Sequence, residues 1–149
     1  MKLATALAER SALQTRLTEL QSRLISNAKV QEGEEPAEDP AALLAEMEEG
    51  VARLEELIAK INLVNSRTVS DGVTLTELLA KRDCLKRKLA MLRAFLDSAS
   101  ARVDRFTRTE IRIRSTVPVP QLQKQADDLS KELRELDERI QELNWTTEI

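Results

Sequence analysis

Val73-Thr74-Leu75-Thr76-Glu77-Leu78-Leu79, followed by Lys81-Arg82-Asp83-Cys84-Leu85-Lys86-Arg87-Lys88, opens the longest unbroken helical pattern in the chain, which runs over residues 73–106. Thr74 and Glu77 have the Thr-x-x-Glu spacing of a capping box, in which each residue satisfies a backbone N–H at a helix start. Leu75, Leu78, Arg82, Leu85, Leu89, Leu92, Leu96, Ala99, Val103 and Phe106 then recur at steps of three and four. That spacing places them on one helical stripe. At 1.5 Å per residue the helix would be a rod of roughly 45–50 Å. A fold that accommodates such a rod is a bundle or a set of helical hairpins.

The rest of the chain repeats the pattern. Helix one is expected over residues 2–27, with Leu3, Ala6, Arg10, Leu13, Leu17, Leu20, Leu24 and Asn27 as its seam. Arg10 and Asn27 are polar interruptions, which can fix register at some cost in stability. Residues 29–39 form an acidic linker with Glu32, Glu34, Glu35, Glu38 and Asp39, broken by Gly33 and Pro36. Asp39 as N-cap and Pro40 at the first helical position start helix two, expected over residues 40–65. Its seam reads Leu44, Met47, Val51, Leu54, Ile58, Ile61 and Asn65, with Gly50 inside the helix. The short linker makes helices one and two an antiparallel hairpin. Thr68, Val69 and the Asp71-Gly72 dipeptide predict a turn with room for a very short β-hairpin.

After helix three the period changes. Ile111, Ile113, Ser115 and Val117 alternate with Arg112, Arg114 and Thr116, a period of two that predicts a strand over residues 110–117. Pro118 and Pro120 end it. Helix four follows over residues 120–143, with Leu122, Ala126, Leu129, Leu133, Leu136, Ile140 and Leu143 inward. Trp145 is expected to fold onto a neighbour or cover a bundle end. The reading is one helical domain over residues 1–149: mainly all-α, an antiparallel four-helix bundle or coiled-coil hairpins, with a short β segment between helices three and four.

Composition agrees. The chain has 149 residues, 33% of them charged and only 2% aromatic, with a formal net charge of −3. Both signs mixed with leucine at helical spacing is a bundle composition. Histidine is absent, which removes the commonest general base and metal ligand. Cys84 is alone, so no disulfide forms within the chain and no Cys-His nucleophile is available. No catalytic residue, cofactor site or metal site is assigned, and the chain is read as not an enzyme. The apolar run over residues 3–8 is too short for a signal peptide, and no run has the ~18 apolar residues of a membrane span. These features point to a cytoplasmic protein.

A lone strand cannot satisfy its backbone groups when buried, so it would pair either with the few residues around 67–69 or Val73, in a small sheet at one end of the bundle, or with another chain. Ile111, Ile113 and Val117 are therefore candidate contacts with a second copy, and a homo-oligomer is the expected partner state. The second candidate surface lies on helix three. Six basic side chains against Asp83 give residues 81–93 a net charge of +5, and Arg102, Arg105, Arg108, Arg112 and Arg114 follow. Lys86, Arg87 and Lys88 are candidate contacts for an anion or for nucleic acid. Helices two and four are acidic, however, and pairing within the bundle or a plain solvated face accounts for the same cluster. Arg82 and Arg10 are expected to pair with carboxylates or reach solvent.

Four stretches carry a resemblance. They are Lys2-Leu3-Ala4 through Ala8-Glu9-Arg10; Asn27-Ala28-Lys29-Val30-Gln31-Glu32-Gly33-Glu34-Glu35-Pro36; Asp71-Gly72 with Thr74-Leu75-Thr76 and Arg82-Asp83; and Gln123-Lys124-Gln125 through Leu143-Asn144-Trp145-Thr146-Thr147. They resemble a family of small bacterial proteins, some labelled septicolysin-like. The resemblance implies a small helical protein of unestablished function, and the label implies a membrane-active cytolysin. It brings no catalytic motif. The leading expectation is a non-enzymatic, self-associating helical protein. The alternatives are a nucleic-acid-binding protein using the basic face of helix three, and the cytolysin.

Overall fold

The structure is a computed structural model that describes residues 1–100 and 111–149. Four helices account for most of it: α1 (Leu3–Ser26), α2 (Pro40–Arg67), α3 (Leu75–Ser100) and α4 (Val119–Thr146). Two short strands, β1 (Val69–Ser70) and β2 (Val73–Thr74), lie between α2 and α3. The mainly all-α expectation holds, and the helices start and stop within a few residues of their expected positions. The expected last turns of helix three, residues 101–106, lie outside the described residues, as do Arg102, Arg105, Arg108 and Glu110.

The β segment is placed differently from the expectation. Residues 111–117 form no strand. Ile111 and Ile113 stand 77% and 65% exposed, and no described strand lies beside them. Alternation specifies a strand only where another edge accepts its hydrogen bonds, and no such edge is found among the described residues. Ser115 ends the segment with a local turn, its hydroxyl donating to the Val117 carbonyl at 3.1 Å.

The sheet that does form is dictated by Asp71-Gly72. Asp71 has φ +50° and Gly72 φ +78°. Left-handed conformation at both central residues defines the type I′ turn, whose twist matches paired antiparallel strands. Val69 pairs with Thr74 and Ser70 with Val73. The Leu75 N–H then donates to the Thr68 carbonyl at 2.8 Å, carrying the ladder into the first residue of α3.

The described residues divide into two compact units: Met1–Leu75 with Glu142–Ile149, and Thr76–Gln141. In the first, α1 and α2 run antiparallel. Glu9 meets Arg53 (2.7 Å), Arg16 meets Glu46 (2.8 Å from Nε) and Arg23 meets Glu38 (2.6 Å). On α1 these residues are seven apart, so one helix face carries all three pairs. They set register; exposed pairs add little stability. The apolar core does more. Leu3, Ala6, Leu20, Leu43, Leu57, Ile61 and Leu75 are buried, each full-sized side chain contributing about 1.5–3 kcal/mol.

Between α1 and α2 the chain turns at Asn27, which is buried. Its side-chain amide donates to the Arg23 carbonyl at 2.8 Å, and its Oδ1 accepts the Glu38 N–H at 2.9 Å. One side chain thus closes the end of α1 and anchors the returning linker. Gly33, at φ +88°, turns the linker, and Asp39 caps α2 by accepting the Ala41 N–H at 3.0 Å.

The same unit holds residues 1–3 against residues 147–149. The Leu3 N–H donates to the Thr147 carbonyl and the Ile149 N–H to the Met1 carbonyl, both at 2.9 Å. Glu148 receives the Met1 amino group at 3.0 Å and Lys2 Nζ at 2.6 Å. Trp145 does not fold onto a neighbour as expected: it is 63% exposed. Leu136, Ile140 and Asn144 are the buried positions on that part of α4, spaced four apart, and Trp145 stands one step round from them.

The second unit is a hairpin of α3 and α4. Leu89, Leu96 and Ala126 form its core, packed by Leu92, Val119, Leu122, Leu129 and Leu133. Lys81 pairs with Glu132 (3.5 Å), Arg82 with Asp137 (3.9 Å), and Arg93 donates to Ser130 (3.2 Å). Arg82 thus has a carboxylate on the facing helix, but its hydrogen bond goes to Asp83, next to it on α3, at 3.2 Å.

Candidate interaction surface

Helix α2 carries two apolar stripes side by side. Leu43, Gly50 and Leu57 are seven apart, and Gly50 lies directly against Leu17 of α1: a Cβ at position 50 would sit 3.1 Å from Leu17 Cδ2. Leu44, Val51 and Ile58 follow the same spacing one residue later, about 100° round the helix. These three are 48%, 46% and 37% exposed. Met47 and Leu54 are half-buried and fill the angle between the stripes.

The seam expected from sequence was the second stripe, and this is corrected. Of Leu44, Met47, Val51, Leu54, Ile58 and Ile61, only Ile61 is buried. A count of apolar side chains passes over glycine, yet Gly50 is what admits Leu17 to this face. The signal was present as Gly50 standing midway between Leu43 and Leu57. The consequence is a helix with an apolar strip left in solvent. Val51, Leu54, Glu55, Ile58 and Ala59 line a shallow groove of about 370 Å³ along it. Glu48 and Glu55, both exposed, border its outer side.

A second exposed strip lies on α3. Cys84, Met91 and Phe95 share one face, with Met91 68% and Phe95 46% exposed. Arg87 and Lys88 flank it, and both are exposed, as is Lys86. Three consecutive residues fan over roughly 200° of a helix, so the expected cluster of Lys86, Arg87 and Lys88 is not one face. Arg87 and Lys88 border Met91, while Lys86 lies on the side of Arg93.

Ile111 and Ile113 are exposed and Val117 is half-buried; all three lie outside any sheet. Beside α1 and α2, Leu13, Leu17, Leu20 and Gly50 floor a pocket of about 230 Å³ whose rim includes Arg16, Glu46, Glu49 and Arg53.

The strongest electrostatics belong to the ion pairs. The hydrogen bond from Arg53 holds the Glu9 carboxyl below the ordinary glutamate range, and the hydrogen bond from Arg23 does the same for Glu38. Glu56 is lowered by Lys60 and Arg53, and Glu148 by Lys2 and the Met1 amino group. Each of these acids is committed to a partner. Among the described residues no three His, Cys, Asp or Glu side chains converge to hold a metal ion, and no helix is long and apolar enough to cross a membrane.

Comparison with known proteins adds a family and a structural relative. A solved structure, titled the crystal structure of a functionally unknown conserved protein from Corynebacterium diphtheriae, is 43% identical, covers 100% of this chain and 98% of its own, and superposes with a TM-score of 0.94. No curated protein matches. The family model that matches residues 10–149 is described as a family of unknown function (DUF6847). These findings overturn the septicolysin-like resemblance, and the cytolysin reading loses the family label it rested on. Two residues in the strings that carried it have structural roles here: Asn27 anchors the linker, and Asn144 is buried on α4. With the match extending over nearly its whole length, the chain belongs to this family of unknown function, DUF6847.

Proposed function

We propose that this is a non-enzymatic helical protein of the cytoplasm that acts by self-association. The observation that supports this reading is the exposed heptad strip Leu44, Val51 and Ile58. Apolar residues at seven-residue spacing on a helix are the pattern by which one helix receives another. Symmetric assemblies of identical chains are the commonest soluble oligomers, so a second copy is the natural recipient. The ionisable groups with shifted pKa values are tied up in ion pairs rather than poised for proton transfer, which also favours an interaction role over an enzymatic one.

Sedimentation velocity or light scattering over a concentration series tests the reading. Mass should rise with concentration towards that of a dimer or larger assembly. A strict monomer at tens of micromolar would sink it.

A further inference from the structure

The two exposed strips are complementary in charge. The α2 strip of Leu44, Val51 and Ile58 is bordered by Glu48 and Glu55, and the α3 strip of Cys84, Met91 and Phe95 by Arg87 and Lys88 on α3 itself, with Asp128 and Glu132 of α4 across the groove beside Lys88 and Met91. None of Glu48, Glu55, Arg87 and Lys88 is engaged in an ion pair among the described residues. We propose that α2 of one copy docks on α3 of a second copy. The proposal rests on the self-association reading and names its surface.

Charge selects this pairing over the alternatives. Two α2 strips laid together would bring Glu48 and Glu55 against their own equivalents. Two α3 strips would do the same with Arg87 and Lys88. Like charges across an interface oppose association, whereas opposite charges speed encounter and fix register. The lengths also agree. From Leu44 to Ile58 is roughly 21 Å and from Cys84 to Phe95 roughly 17 Å at 1.5 Å per residue. Spacings of four and three from Cys84 through Lys88 and Met91 to Phe95 suit side chains seated between those of a facing helix. Phe95 and Met91 provide the large apolar anchors that carry binding energy in protein contacts.

The test is charge reversal on each strip and on both, in the full chain, read by sedimentation equilibrium. Glu48→Lys with Glu55→Lys, or Arg87→Glu with Lys88→Glu, should each raise the dissociation constant about tenfold or more, and the four changes together should restore most of the loss. Circular dichroism on each variant establishes that helix content is kept. Val51→Asp gives a second disruption that leaves the bordering charges in place. If wild-type protein is monomeric, this surface and the self-association reading both fall. If wild-type protein associates and neither reversal nor Val51→Asp shifts the constant, this surface falls and self-association stands. Weakening by each reversal without recovery in the fourfold variant also overturns the α2–α3 pairing.

Discussion

Leu17 of α1 packs against Gly50 of α2 so closely that a methyl group at position 50 would meet Leu17 Cδ2 at 3.1 Å. Two effects oppose each other on substitution. Alanine gains roughly 1 kcal/mol of helix propensity over glycine, and Leu17 must yield by a few tenths of an ångström. Leu17 is half-buried and lines the adjacent pocket, so its end has somewhere to go. Gly50→Ala should therefore stabilise the protein by about 0.5 kcal/mol, what remains of the propensity gain. Gly50→Val, with a larger branched side chain, should destabilise it by about 1–3 kcal/mol. Urea unfolding midpoints check both.

Asn27→Ala removes the donor to Arg23 and the acceptor for the Glu38 N–H at one stroke. The expected loss is about 1–3 kcal/mol, the range for leaving a buried polar group without its partner. Hydrogen exchange gives a local readout: the Glu38 amide should lose protection ahead of the amides inside α2. Unchanged protection at Glu38 would contradict the anchor.

Acid should weaken the first unit through its carboxylates. Glu9, Glu38, Glu56 and Glu148 have folded-state pKa values below their ordinary one. The unfolded chain therefore takes up protons first as pH falls. The stability these groups contribute is complete above the ordinary glutamate pKa of about 4.3 and is lost as pH drops through the folded values. Urea midpoints measured between neutral pH and pH 3 should be flat at first and then fall. Glu38→Gln should shallow the fall, and a midpoint that rises on acidification would refute the assignment.

The type I′ turn requires left-handed backbone at both central residues. A Cβ at Gly72 would meet nothing within 4 Å, but φ there is +78°. Gly72→Ala should cost about 1–2 kcal/mol from left-handed backbone strain alone. Gly72→Asn should cost less than Gly72→Ala, because asparagine tolerates that conformation. Thermal melts of the two variants separate the effects.

These residues also show how far the sequence could be read. The α1 and α4 seams were legible because each has a single apolar stripe, and spacing alone identifies it. On α2 two stripes adjoin, and spacing cannot rank them; the decision rests on Gly50, a residue with no side chain to count. The strand expected at residues 111–117 failed because alternation describes one strand and says nothing of a partner. Asp71-Gly72 succeeded because the turn type is written in two adjacent residues. The bonds between residues 1–3 and 147–149 have no periodic signature. The acidic and basic borders of the two exposed strips were visible as composition, but which charges were already paired was set by the fold: Lys81, Arg82 and Arg93 are engaged on α4, and Lys86, Arg87 and Lys88 are not.

The bond between Leu3 and Thr147 gives the chain an order of assembly. Residues 76–141, the whole second unit, are inserted between the two pieces of the first. During synthesis α1 and α2 can pair as soon as both have left the ribosome. The second hairpin can close next, using contacts near in sequence, which form fastest. Leu3 receives its hydrogen-bond acceptor only once Thr147 is in place, across a loop of more than 140 positions whose closure carries an entropic cost. The start of α1 is thus held by a segment more than 140 positions further along the chain, so this contact is the one of highest sequence separation that the first unit must close.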